Sequence, residues 1–165
     1  MTAKSWALAC ASVAVTAFTM AGCGSSSDAE DSRPSDVYVA TIERVLADES
    51  RSAEGDELPV VYVVPLGENE IEATVQADVA SELHDVADVR FADERSEALD
   101  EDEPGKPVLD DGVLVGIGDI AERGNPVEVE VEIYHSEDDS SSRLFTVARR
   151  SSRWNVTSTS VVPEP

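Results

Sequence analysis

Apolar and polar positions change period several times along this chain, and each change marks an element. From Asp36 to Asp48, Tyr38, Ile42, Val45 and Leu46 recur three and four apart. That spacing predicts a helix with one apolar stripe, capped by Ser35 or Asp36. Pro59 to Pro65 is a short, continuous, β-branched run between prolines, which predicts a strand buried on both faces. From Ile71 to Ala87, Ile71, Val75, Val79, Leu83 and Val86 keep a helical step, with Asn69 and Glu72 spaced as a capping box. Asp88 to Ala92 then reads as a second strand, so strand, helix and strand form a βαβ unit with parallel strands.

The pattern dissolves between Asp93 and Asp111, where Asp100-Glu101-Asp102-Glu103 precedes Pro104-Gly105-Lys106-Pro107. This segment reads as a mobile loop, too charged to pack, with at most one helical turn near Ser96 to Leu99. Gly112 to Gly118 is a strand with Val113, Val115 and Ile117 on one face. From Val127 the period becomes two: Val127, Val129, Val131 and Ile133 alternate with Glu128, Glu130 and Glu132. A turn at 137–141 centred on Asp139 sets Phe145 opposite Ile133 and Val147 opposite Val131. A second turn, Ser151-Ser152, sets Arg149 opposite Trp154 and Val147 opposite Val156. Both hairpins then place Val129, Val131, Ile133, Phe145, Val147, Trp154 and Val156 on one face, which predicts a meander. The fold expected is α+β: two helices packed on one face of a mixed sheet of about six strands. A parallel βαβ pair is followed by an antiparallel run, and Val161 to Pro165 frays.

The first 22 residues belong to no part of that domain. Lys4 is the only charge before Cys23, and an apolar or small-residue run from Trp6 to Met20 leads to Met20-Ala21-Gly22-Cys23. The run is signal-peptide length and short for a membrane span. These residues resemble the signal peptide and lipobox of bacterial lipoproteins. The resemblance implies cleavage between Gly22 and Cys23, a diacylglycerol thioether on Cys23 and acylation of its new amino group. It also implies an extracytoplasmic domain held at the cell membrane by lipid. Gly24 to Ser35, polar and broken by Pro34, reads as a tether, and 36–165 as one domain.

Composition narrows what that domain does. Removing 22 of 165 residues takes away Cys10 and Lys4, and lipidation uses Cys23. The domain then holds no thiol, which excludes disulfides, thiol catalysis and cysteine-ligated zinc. Its net charge moves from −23 to −24. Such a surface excludes nucleic acid and repels anionic headgroups, so lipid alone holds the protein at a membrane. The same charge suits a salty medium, where self-repulsion is screened, and we read the chain as halophilic.

Candidate chemistry is sparse. Arg143, Arg149, Arg150 and Arg153 crowd the last hairpin. Arg149, Arg150 and Arg153 form a candidate anion site, set against pairing of Arg150 with Glu128 and stacking of Arg149 on Trp154. Asp100-x-Asp102-x-Pro104-Gly105, with Asp111 at the closing position, partly resembles the calcium loop of EF-hand proteins. That resemblance implies Ca²⁺ held by Asp100, Asp102 and Asp111, although Pro104 stands where the family has an oxygen ligand. No other cofactor is expected. Gly116-x-Gly118-x-x-Ala121 matches a dinucleotide fingerprint loosely, but Gly124 and Pro126 leave no helix after it. His84 and His135 lack any catalytic motif around them. Asn155-Val156-Thr157 is a sequon on an expected strand. The expectation is a non-enzymatic lipoprotein domain that meets another envelope protein. Its alternatives are a cation or small-ligand binder using 93–111, and an acid–base hydrolase.

Overall fold

In the computed structural model, residues 33–49, 58–67 and 70–162 are described. The elements are α1 (Arg33–Glu49), β1 (Val60–Pro65), α2 (Ala73–Leu83), β2 (Asp88–Phe91), β3 (Val113–Ile117), β4 (Val127–Ser136), β5 (Asp139–Arg150) and β6 (Arg153–Val161). Short 3₁₀ turns occupy Arg95–Ala98 and Leu109–Asp111.

The six strands form one sheet in the order β2-β1-β3-β4-β5-β6. β1 pairs in parallel with β2 and β3, and the remaining pairs are antiparallel. The α+β class, the parallel βαβ pair and the meander all stand as the hydrophobic periods predict.

Both helices pack on one face of this sheet. Val37, Ile42 and Val45 of α1 and Val79 and Leu83 of α2 meet Val61, Val115, Val129, Phe145 and Val147, all fully or almost fully buried. Period two explains the sheet's share of this core, because alternate residues of each strand point the same way. β3 is buried at all five positions, since Leu114 faces a second cluster on the opposite side. A Cβ on Gly116 would fall 2.5 Å from Leu66 Cδ2, so glycine lets the Leu66 side chain lie against β3 without shifting.

Three expectations shift. α1 begins at Arg33, so Ser35 and Asp36 lie in its first turn rather than at its cap. α2 starts later and stops earlier than its periodicity suggests. Glu72 is its N-cap, without a side-chain cap bond, which undoes the capping box; Asn69 lies outside the described residues. Val86 and Ala87 both donate N–H bonds to the Leu83 carbonyl, closing the helix there. Val86 is consequently half-exposed, and Ala87 fills the core instead.

The β4–β5 register differs by four residues. Phe145 faces Val129, and Val147 faces Val127, because the chain reverses at 137–138 rather than at Asp139. An even slip keeps every side chain on its face, so the expected inward set is still the observed one. The β5–β6 register matches: Arg149 faces Trp154 and Val147 faces Val156.

The segment 93–111 departs most from expectation. It packs over the second face of the parallel half, covering Tyr62, Val64, Leu114 and Tyr134 with Ala98 and Val108. Leu99 and Val108 form a β-bridge, and Asp100 N–H donates to the Pro107 carbonyl. The charged run 100–106 is therefore the tip of a small closed loop, whose two apolar stems reach the sheet. Charge density at the tip does not prevent packing, because the tip stays in water while the stems bury.

Candidate functional site

The covering segment is fastened by polar contacts at both ends. Arg95 lies over the Tyr134 ring at 3.9 Å and pairs with Glu132 at 2.5 Å. The Tyr134 hydroxyl donates to the Lys106 carbonyl at 2.9 Å, and Val108 N–H donates to the His135 carbonyl at 3.0 Å. At the other end, parallel register puts Arg90 beside Tyr62. Arg90 Nη1 donates to the Tyr62 hydroxyl at 2.9 Å and pairs with Asp110; its other nitrogens pair with Asp88. The Tyr62 hydroxyl in turn donates to Asp110 at 3.0 Å.

This constellation is electrostatically self-consistent. Hydrogen bonds from Arg90 and then Tyr62 hold the Asp110 carboxyl below its ordinary range. Bonds to Asp88, Asp110 and Tyr62 raise the Arg90 guanidinium. Burial raises the Tyr62 phenol, with Arg90 opposing and Asp110 adding to the rise. All polar groups here satisfy one another, which suits a clasp better than a reactive centre. Periodicity misses this clasp because Asp110 comes to Tyr62 through tertiary packing. Aligning β1 with β2 as a parallel pair gives Arg90 beside Tyr62.

The proposed calcium ligands are spread over this segment. Asp102 N–H donates to the Asp100 carboxylate at 3.1 Å, within the loop tip. Asp111 lies beyond the Leu99–Val108 bridge, in the second 3₁₀ turn. Among the described residues, no three His, Cys, Asp or Glu side chains gather as a metal group. His84 is exposed beside Asp85, and His135 pairs with Glu49 of α1 at 3.1 Å. Cys23 and Gly22 lie outside the described residues. No described helix is long and apolar enough to cross a membrane.

The C-terminal arginines divide. Arg143 pairs with Asp48 at 3.0 Å and Arg153 with Glu43 at 2.5 Å, so both bind α1 rather than strand neighbours. Arg149 lies close enough to Asp36 to pull its pKa down, against a larger upward push from burial. Arg33, not Arg149, sits over the Trp154 ring, at 5.2 Å. Glu128 stands opposite Thr146, which leaves the expected Arg150–Glu128 pair unmade. The Arg150 residue is exposed at the end of β5.

These arginines lie along a stretch of the sequence that lacks acid. Residues 140–163 hold four arginines and no Asp or Glu, in a chain with 35 acids. Within that stretch β6 is the last strand of the sheet, paired only with β5 among the described residues. Its far half, Thr157 to Val161, is exposed at every position, and Val161 is 75% exposed. The other edge, β2, is only four residues long and carries the Arg90–Asp88 pair. The two edges therefore offer different things: β2 is short and carries an ion pair, β6 is long, free of acid and hydroxyl-rich.

No protein-family model, no curated protein and no solved structure matches this chain.

Proposed function

We propose that the mature chain is a non-enzymatic, lipid-anchored domain of the cell envelope, and that it engages another envelope protein through β6. The observation that carries this reading is the nine-residue β6 edge, exposed along its far half and free of acidic side chains. An unpaired edge offers a row of backbone donors and acceptors to an added strand. The occupant is an extended segment with acidic side chains near Arg150 and Arg153. The net charge of −23 repels such a partner at long range. Salt limits that repulsion to about 10 Å at 0.1 M, so local complementarity decides the contact. The lipobox cysteine supports the address, and the self-satisfied Tyr62–Arg90–Asp110 group supports a binding role over catalysis.

The test places a photo-crosslinking residue at Thr159 in the lipidated full-length protein and illuminates intact membranes. One discrete adduct is expected, with acidic residues in the crosslinked peptide, and it should vanish with Ser158→Asp and Ser160→Asp together. Cys23→Ser should release the protein from the membrane. A Cys23→Ser protein that stays membrane-bound would remove the anchor. An adduct indifferent to the two aspartates would remove the β6 edge.

A further inference from the structure

The tether and the folded domain meet at Arg33, which opens α1 and follows residues 24–32. Its guanidinium donates to the Glu122 carbonyl at 2.6 Å and to the Gly124 carbonyl at 2.9 Å, and it stands over the Trp154 ring. The same turn is tied to the end of β5. Arg149 N–H donates to Asn125 Oδ1 at 2.9 Å, and Asn125 Nδ2 donates to the Arg149 carbonyl at 3.1 Å. Arg149 is also the cross-strand neighbour of Trp154. The point where the chain enters the domain is thus fixed between Arg123 and Arg149.

Those two arginines stand apart in their pairing. Arg44, Arg90, Arg95, Arg143 and Arg153 each pair with a carboxylate. Arg123 and Arg149 are exposed and make no ion pair among the described residues. Asp36, in the first turn of α1, feels the charge of Arg149 without pairing with it, and Glu122 is the chain neighbour of Arg123. Arg150 is exposed too, but strand alternation turns it to the other side of the sheet from Arg149.

The chain that arrives here has the complementary charge. Residues 24–32 carry Asp28, Glu30 and Asp31 and no base. Asp31 is two residues from Arg33 and Asp28 is five, spans of at most about 7 and 18 Å. The positive end of the α1 dipole favours the same sign. An exposed ion pair is weak by itself. These acids are covalently held beside the arginines, so little chain entropy opposes the contact.

We propose that Asp28, Glu30 and Asp31 dock on Arg123 and Arg149, pinning the tether to the foot of the domain. The free chain beyond Cys23 then shortens from ten residues (33 − 23) to five (28 − 23). Its greatest reach falls from about 35 Å to about 18 Å. The β5–β6 turn faces the bilayer, and the acidic turn between β4 and β5 faces away from it. This effect on stand-off rests on the proposed anchor at Cys23, whereas the docking itself does not.

The experiment gives the site an amine without changing its charge. Full-length lipidated protein carrying Arg149→Lys is treated in detergent with a zero-length carbodiimide, as a mixture of unlabelled and isotopically labelled chains. Mass spectrometry maps the amide crosslinks. Lys106, 3.6 Å from Glu137, is the internal control. A crosslink from position 149 to Asp28, Glu30 or Asp31 of the same chain is expected, and Arg123→Lys should give the same from position 123. Adding Arg123→Ala to Arg149→Lys should lower the yield about threefold, the share of one exposed pair. With the control crosslink formed, links only to acids of the folded domain, or none from either position, would overturn the proposal. Links between unlabelled and labelled chains would assign the arginines to a second copy instead. Loss of the crosslink in phosphatidylglycerol vesicles but not in phosphatidylcholine vesicles would assign them to lipid headgroups, and also overturn it. The crosslink should persist in Cys23→Ser, so the anchor and the docking can fail separately.

Discussion

Leu114 in β3 and Thr146 in β5 point to the same side of one sheet, yet Leu114 is fully buried and Thr146 is partly exposed. The difference runs through the whole architecture. In the parallel half, helices cover one face and the 93–111 segment covers the other. In the antiparallel half the helices cover one face only, and Glu128, Glu130 and Thr146 meet water on the other. Coverage, not strand direction alone, decides which composition a strand needs. β1 and β3 are apolar on both sides, and β4 alternates. The segment that resembles surplus loop is the second layer of the parallel half.

The largest effect expected tests what the halves share. Phe145 is fully buried under the helices, so Phe145→Ala should cost about 3–5 kcal/mol in urea unfolding. A loss near zero would mean that the common core does not reach β5. The comparison itself is sharpened by a pair on the second face. Leu114→Ala should cost about 2–5 kcal/mol, and Thr146→Ala within about 0.5 kcal/mol. Equal costs would break the distinction between the halves.

A smaller effect separates the halves by pH. Asp110 clasps the covering segment, and its folded carboxyl titrates below the unfolded value of 3.8. Its stabilisation is present above that value and lost as pH falls through the folded one. Asp36, in α1 near Arg149, has its carboxyl raised, mainly by burial. Its contribution is present below the unfolded value and lost as pH rises through the folded one. Asp110→Asn should therefore flatten the acid limb of stability, and Asp36→Asn should steepen it. Urea midpoints measured across the carboxylate range check both signs, and matching slopes would refute the assignment.

The sheet and helices were legible because their apolar positions repeat. Phe145 and Val147 can be placed on the inner face without knowing their partners, since a slip of four residues leaves faces unchanged. The partners themselves were not legible, because turn geometry sets them and 137–141 admits more than one reversal point. The stems of the covering segment were hidden for a different reason. Ala98, Leu99, Val108 and Leu109 follow no period, and only the sheet beneath them makes their burial worthwhile. Gly116-x-Gly118, a loose match to a dinucleotide fingerprint, has a packing reason in the fold. Gly116 makes room for Leu66, and no helix follows to cradle a phosphate.

The exposed β6 edge also bears on colloidal behaviour. A row of unpaired backbone groups invites a second copy as readily as a partner. Two devices oppose this. The net charge of −23 keeps copies apart, and Thr157-Ser158-Thr159-Ser160 keeps the edge hydrated rather than sticky. Acid or high salt weakens only the first. The hydroxyl run is then the remaining safeguard against edge-to-edge association, so a valine or isoleucine placed there would let copies of the domain join along β6 as the charge is neutralised.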